Sequence, residues 1–226
     1  MSPALALYER ALCGETVWYV MAPRPRPAGP DVRPFPARVM DAARWSARAD
    51  GADLRALAFA APPVLDLGCG PGRLVEALTE RGVACLGVDI SREAVRRTRG
   101  RGGCALRRSM FAPLPNEGRW GSALLLDGNI GIGGSVPHLL DRVGELLRPG
   151  GRLVVEVDPR NVDHAGELRL FHADGSCSEP VPWAQIGEKA LRRALVEHGQ
   201  RGQGQRLRPG PGWSVGPRRL LRATAW

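Results

Sequence analysis

The chain has 226 residues, enough for one domain with an extension and a substantial core, and carries a formal net charge of +9. That charge admits a nucleic-acid partner. However, Lys189 is the only lysine, and the arginines are scattered apart from a denser C-terminal group (Arg201, Arg206, Arg208, Arg218, Arg219, Arg222). A solvated basic surface, with arginine favoured by GC-rich codons, is the simpler account. The five cysteines (Cys13, Cys69, Cys85, Cys104, Cys177) form no C-x-x-C pair and no histidine lies at zinc-finger spacing, so no metal centre is expected. An odd number of unpaired thiols fits a reducing cytoplasm. Glu9, Arg10 and Glu15 interrupt the N-terminal apolar residues, and no apolar run is long enough to span a membrane, so neither a secretory signal nor a membrane segment is expected.

Residues 1–22 predict a short helix containing Leu5, Tyr8 and Leu12, followed by the aromatic pair Trp18-Tyr19. Proline recurs at 23, 25, 27, 30, 34 and 36, so regular structure is not expected there. A second helical piece, 37–49, carries Val39, Met40 and Trp45. This N-terminal part is expected to lie outside the main sheet, either as a lid over a ligand or as a packed extension. Val64 to Leu67 then read as a strand buried on both faces, because its apolar residues run on instead of alternating. Gly68, Gly70 and Gly72 allow a sharp turn and a close ligand approach, and Leu74, Val75 and Leu78 follow at helical spacing with Gly82 as a stop. Strand, glycine loop and helix start make a nucleotide-binding corner.

The spacing narrows the ligand. Counted from Gly68, a G-x-G-x-x-G fingerprint would need glycine at 73, where Arg73 stands. The pattern is instead D-x-G-x-G-x-G, with Asp66 two residues before the first glycine; that acid repels pyrophosphate and attracts an ammonium group. No phosphate-loop Gly-Lys-Ser/Thr follows. A second strand, 84–90, brings Asp89 to the distance at which a ribose-binding acid belongs. Together these segments resemble motif I and the following acidic loop of class I S-adenosylmethionine-dependent methyltransferases.

Farther along, Ser91 caps and Gly100 stops a helix with Ala94, Val95 and Thr98, and 105–110 form a third strand. Cys85 and Cys104 are expected in buried strands, and Cys69 in the glycine loop. Ser122 to Leu126 make a fourth strand ending at Asp127, followed by the glycine-rich loop 128–134. Ser135 caps a helix with Val136, Leu139, Leu140, Val143 and Leu147, which Arg148-Pro149-Gly150-Gly151 ends before a fifth strand, 153–157. L-L-R-P-G-G-R-L-V-V-E-V-D closely resembles the helix-to-strand passage of the same family, so the likeness covers residues 62 to 159. Beyond 160 a strand or hairpin at 167–172, an amphipathic helix at 185–198 and strands near 203–207 and 219–226 are expected.

The resemblance implies an α/β fold: a Rossmann-like, doubly wound, mostly parallel seven-stranded sheet with an N-terminal helical lid. Residues 1–61 would be a helical and proline-rich cap and 62–226 the methyltransferase domain. It implies S-adenosyl-L-methionine as cofactor and S-adenosyl-L-homocysteine as product. The cofactor would be held by Asp66, Gly68, Cys69, Gly70, Gly72, Arg73, Asp89, Ile90, Ser109, Met110 and Asp127. Asp127, Asn129 and His172 are the catalytic candidates, with His164 and Trp183 also in the segment where acceptor contacts fall. The family's adenine-side acid is replaced here by Arg108-Ser109-Met110-Phe111. The expected activity is methyl transfer to oxygen or nitrogen of a small molecule. A nucleic-acid (RNA) methyltransferase and a non-catalytic S-adenosylmethionine-binding module are the alternatives. Against the first, Asp127-Gly128-Asn129-Ile130 stands where base-methylating enzymes carry Asn/Asp-Pro-Pro-aromatic.

Overall fold

The computed structural model describes residues 1–23, 36–200 and 206–226. Most of the proline-rich stretch, residues 24–35, falls outside them. Helix α1 (Pro3–Leu12) is capped by Ser2, whose Oγ accepts from the Leu5 amide at 3.3 Å. The β-branched and aromatic run Val-Trp-Tyr-Val-Met then forms strand β1 (Val17–Pro23), so the Trp18-Tyr19 pair lies on a strand. The helix expected over 37–49 is interrupted. Strand β2 (Arg38–Val39) pairs with β1, the Met40 amide donates to Val17 O, and only Ala42–Ser46, capped by Asp41, are helical (α2). Helix α3 (Gly51–Leu57) opens with a reciprocal Asp50/Asp53 capping box.

The sheet then builds as the periodicity predicts. Strand β3 (Val64–Leu67) leads through the glycine loop into α4 (Arg73–Thr79), and β4 (Cys85–Asp89) leads into α5 (Arg92–Gly100), capped by Ser91. Strand β5 (Ala105–Arg107) stops short of the expected Met110, and Cys104 just before it is exposed and Cys85 only half-buried. Strand β6 (Trp120–Leu125), a single 3-10 turn at Asn129–Gly131, α6 (Val136–Leu146) and β7 (Leu147–Val157) follow. Strands β3 to β7 are parallel. Alternate residues feed two cores: Leu65, Leu67, Leu125 and Val155 pack with α6, whereas Val64, Leu124 and Val154 pack with α3 and α4. Continuous apolar strands result because both faces are covered.

The last third departs from expectation. Strand β8 (Asp163–His172) is longer than the predicted 167–172, and it pairs with β9 (Val181–Ile186), which occupies the start of the predicted helix. Helix α7 (Glu188–Gln200) therefore begins three residues later than expected. Strand β10 (Leu207–Val215) begins where 203–207 was expected to end, and residues 203–205 lie outside the described residues. Pro209 and Pro211 are tolerated there because β10 is an edge strand, with a register shift between Pro209 and Gly212. Strand β11 (Arg218–Ala225) runs antiparallel to β7 and completes the order β10-β11-β7-β6-β3-β4-β5. A second sheet, β2-β1-β8-β9, is antiparallel throughout. The N-terminal part thus lies outside the main sheet, in a second sheet that it shares with β8 and β9. Among the described residues, no helix is long and apolar enough to cross a membrane.

Two contacts fasten the second sheet over the carboxyl edge of the first. The Asp158 amide donates to Ile186 O at 2.9 Å, and Ile132 bridges Trp183. A third core joins α1, β1, β8, α2 and α5 through Leu7, Leu12, Val17, Ala42, Ala94 and Leu170.

Candidate functional site

Between the two sheets lies a cavity of about 680 Å³, of the size that small-molecule sites occupy. Its floor is the carboxyl edge of the main sheet. Gly68, Cys69, Gly70, Arg73, Asp89, Ile90, Ser109, Met110, Asp127 and Asn129 all line it. Asp66 and Gly72, also expected at the site, stand outside the lining. Gly72 (φ +89°) is pressed against α5, where a Cβ would meet Thr98 Oγ1 at 2.5 Å. Gly70 (φ +54°) is the open one: a Cβ there would project toward the Tyr8 hydroxyl at 3.4 Å and fill ligand space. His172 lies outside the lining. It sits in a polar cluster where Arg10 Nη2 is 2.9 Å from its Nδ1 and where Glu15 and Asp174 flank the ring.

The acids of the floor differ in state. Asp89 is buried, yet its Oδ2 accepts from the Gly70 amide at 3.0 Å and its Oδ1 from the Ser91 amide at 2.8 Å. Burial raises its carboxyl above the usual range, and those amides oppose the rise. A carboxylate has lone pairs beyond two such bonds, so Asp89 can still accept from hydroxyls in the cavity. Asp66 is more extreme. Its Oδ2 is buried without a hydrogen-bond partner, and burial pushes its carboxyl up to about 7, with Arg73 opposing and Asp127 and Asp89 adding to it. Burial likewise raises the Cys69 thiol, which makes it an apolar wall rather than a nucleophile.

Asp127 and Asn129, the catalytic candidates from the loop, prove to be tied down. Asp127 Oδ2 meets Arg73 Nη1 at 2.6 Å and its Oδ1 meets Arg44 Nη1 at 2.9 Å, so guanidinium groups occupy both oxygens. Its amide donates to Glu156 Oε2 at 2.9 Å. Asn129 Nδ2 donates to the carbonyls of Leu67 and Gly68 at 3.0 and 2.9 Å, holding the start of the glycine loop. The neighbouring glycines serve packing: a Cβ on Gly131 would strike Ala184 O, and one on Gly134 would meet Pro182 and Trp183 N. The loop is glycine-rich because β9 lies directly upon it.

Several site residues carry no local sequence signature. Asp53 is 1% exposed and is gripped by Arg73 (Nε to Oδ2, 2.8 Å; Nη2 to Oδ1, 3.0 Å) and by Arg218 Nη1 at 2.7 Å. Burial would raise its carboxyl, but Arg73 and Arg218 together hold it well below the usual carboxylate range. Arg218 also forks onto Glu156 at 2.9 and 2.6 Å. Arg142, on α6, donates to Met110 O at 2.9 Å and Ala112 O at 2.8 Å, fixing the loop after β5. Tyr8 enters the cavity from α1, which Glu9 docks onto α5 by accepting from Ser91 Oγ at 2.8 Å. The alternating pattern of α1 revealed an apolar face but not what it would cover.

Comparison with known proteins places this geometry. The model of a methyltransferase-domain family matches residues 41–199. Among solved structures, an S-adenosylmethionine-dependent methyltransferase from Bacteroides fragilis, in complex with S-adenosyl-L-homocysteine, superposes with a TM-score of 0.74 at 18% identity, covering 99% of this chain and 94% of that one. The 1,6-didemethyltoxoflavin-N1-methyltransferase of Burkholderia thailandensis gives 0.52 at 20% identity, over 72% of this chain and 70% of that one. An amino pentose methyltransferase from Micromonospora echinaspora, involved in calicheamicin biosynthesis, gives 0.53 at 19%, over 77% and 89%. No curated protein matches the sequence.

Proposed function

The chain belongs to the methyltransferase-domain family and is an S-adenosylmethionine-dependent methyltransferase; from that premise we propose that it methylates oxygen or nitrogen of a small-molecule acceptor. The observation that carries this reading is the cavity between the two sheets, where a glycine loop and Asp89 form one wall and apolar side chains of a second sheet form the other. The residues fit the cofactor. The Gly68–Gly70 backbone, open at Gly70, would hold the methionine portion, Asp89 the ribose hydroxyls, and Ser109 with Met110 the adenine side. Asp66 stands outside the lining, so no ligand contact is assigned to it.

The cofactor supplies an activated methyl group on a sulfonium, so the protein's task is to align and to exclude water. Asn129 sets the glycine loop through the Leu67 and Gly68 carbonyls. Asp127 orients Arg44 and Arg73 at the floor and so joins residues 1–61, read here as a cap, to the domain of residues 62–226. Both act as positioning residues. His172 is not among the lining residues and is assigned no step. Two of the similar structures are small-molecule methyltransferases, the toxoflavin-precursor and amino pentose enzymes, which supports the same acceptor class.

The test is transfer of label from methyl-labelled S-adenosylmethionine to a panel of small amines and phenols and, in parallel, to RNA and DNA. Labelled small molecules with no labelled polymer are expected. Labelled polymer, with binding that falls steeply as salt rises, would transfer the assignment to a nucleic-acid methyltransferase.

A further inference from the structure

Antiparallel pairing sets which roof side chains share a face, because directly opposed residues point the same way. Successive rungs of one face are Tyr19–Leu170, then Met21–Leu168–Val181, then Gly166–Trp183, then His164–Gln185. Every residue named on these rungs except Gly166 and His164 lines the cavity, and on β9 Pro182, Ala184 and Ile186 line it as well. The face is graded. Its first two rungs are apolar, and its last pairs two hydrogen-bonding side chains. Between them β8 offers no side chain opposite the Trp183 indole. Tyr8 and Trp45, 6.2 Å apart between ring centroids, extend the apolar end from the cap.

The cavity's charges are largely paired. Asp127 meets Arg73 and Arg44, Glu156 meets Arg218 and Asp158 meets Arg160, so the apolar face of the roof, rather than a net charge, distinguishes ligands.

Resting on the methyltransferase reading, we propose that the roof is the acceptor subsite and that it selects a ring-sized apolar molecule with one hydrogen-bonding end. The apolar body lies under Met21, Leu168, Leu170 and Val181, beside Trp183. Its polar end is directed to Gln185, where β9 meets Asp158 at the end of β7.

The probes are 2-naphthol and glycerol, which both offer hydroxyls and differ in whether they carry a ring-sized apolar body. Each is titrated by calorimetry into the full chain, with and without saturating S-adenosylhomocysteine. Saturable binding of the naphthol is expected, with glycerol about tenfold or more weaker. Leu168→Gln should weaken naphthol binding about fivefold or more while S-adenosylhomocysteine affinity stays within about twofold. Val181→Gln, at a half-buried position on the same rung, replaces it should Leu168→Gln not fold. Glycerol binding as tightly as naphthol, no saturable binding of naphthol, or unchanged naphthol affinity in a folded roof variant would overturn the proposal. Failure of S-adenosylhomocysteine to bind would instead strike the methyltransferase reading, and the titrations without it still judge the roof.

Discussion

The floor and the roof of the cavity are built by opposite strategies. In the floor, each ligand-facing group sits within a few residues of the strand that places it: the glycine loop follows β3 and Asp89 ends β4. In the roof, the decisive pairings span most of the chain, as where Val17 stands opposite His172 and Tyr19 opposite Leu170. Local geometry can be written into a short motif, whereas a pairing between distant strands is decided only when the whole chain collapses. The floor is therefore an edge that local sequence defines, and the roof is one that only the folded chain defines.

The sharpest way to break that division is at Asp53, where cap and floor meet. Asp53→Ala leaves Arg73 and Arg218 as buried cations without their shared partner, and should cost about 3–5 kcal/mol in a urea titration followed by circular dichroism. A loss below about 1 kcal/mol would mean that the cap is held by the apolar core alone.

Asp66 offers a test confined to the floor. Its carboxyl titrates near 7 when folded and from an ordinary value of 3.8 otherwise, so the folded chain binds the extra proton between these pH values. Stability contributed by this group is therefore full at low pH and falls as pH rises through the window, by on the order of 4 kcal/mol, levelling off above it. Asp66→Asn should flatten that slope in denaturation curves taken across a range bracketing those two values. A wild-type slope that survives the substitution would assign the buried proton elsewhere.

Gly70→Val should leave the sheet intact but weaken S-adenosylhomocysteine binding about a hundredfold, because the side chain enters ligand space from a left-handed backbone position. Asp89→Ala should be milder, removing roughly 1.5–3 kcal/mol and so about one to two decades of affinity. An order reversed between these two would place the ligand nearer Asp89 than the open glycine.

What was legible in the sequence follows the same division. Val64-Leu65-Asp66-Leu67 and the glycines after it define strand, turn and helix by themselves, and parallel strands buried on both faces read as unbroken apolar runs. The roof gave weaker signals. Trp18-Tyr19 has strand character but no visible partner, and Val181–Ile186 contains a proline and precedes a helical pattern that masks it. Arg73 was legible as a loop residue, yet its partner Asp53 lies twenty positions away in a capping box that looks complete in itself. Asp127 and Asn129 were placed correctly at the floor, but nothing local reveals that two arginines and two backbone carbonyls hold them.

The central claim is that this cavity is built for S-adenosylmethionine, and calorimetric titration of the full chain with S-adenosylmethionine and S-adenosylhomocysteine tests it most directly. Saturable binding of both at one site per chain, weakened in Asp89→Ala, is the predicted result. A folded chain that takes up neither ligand would contradict it.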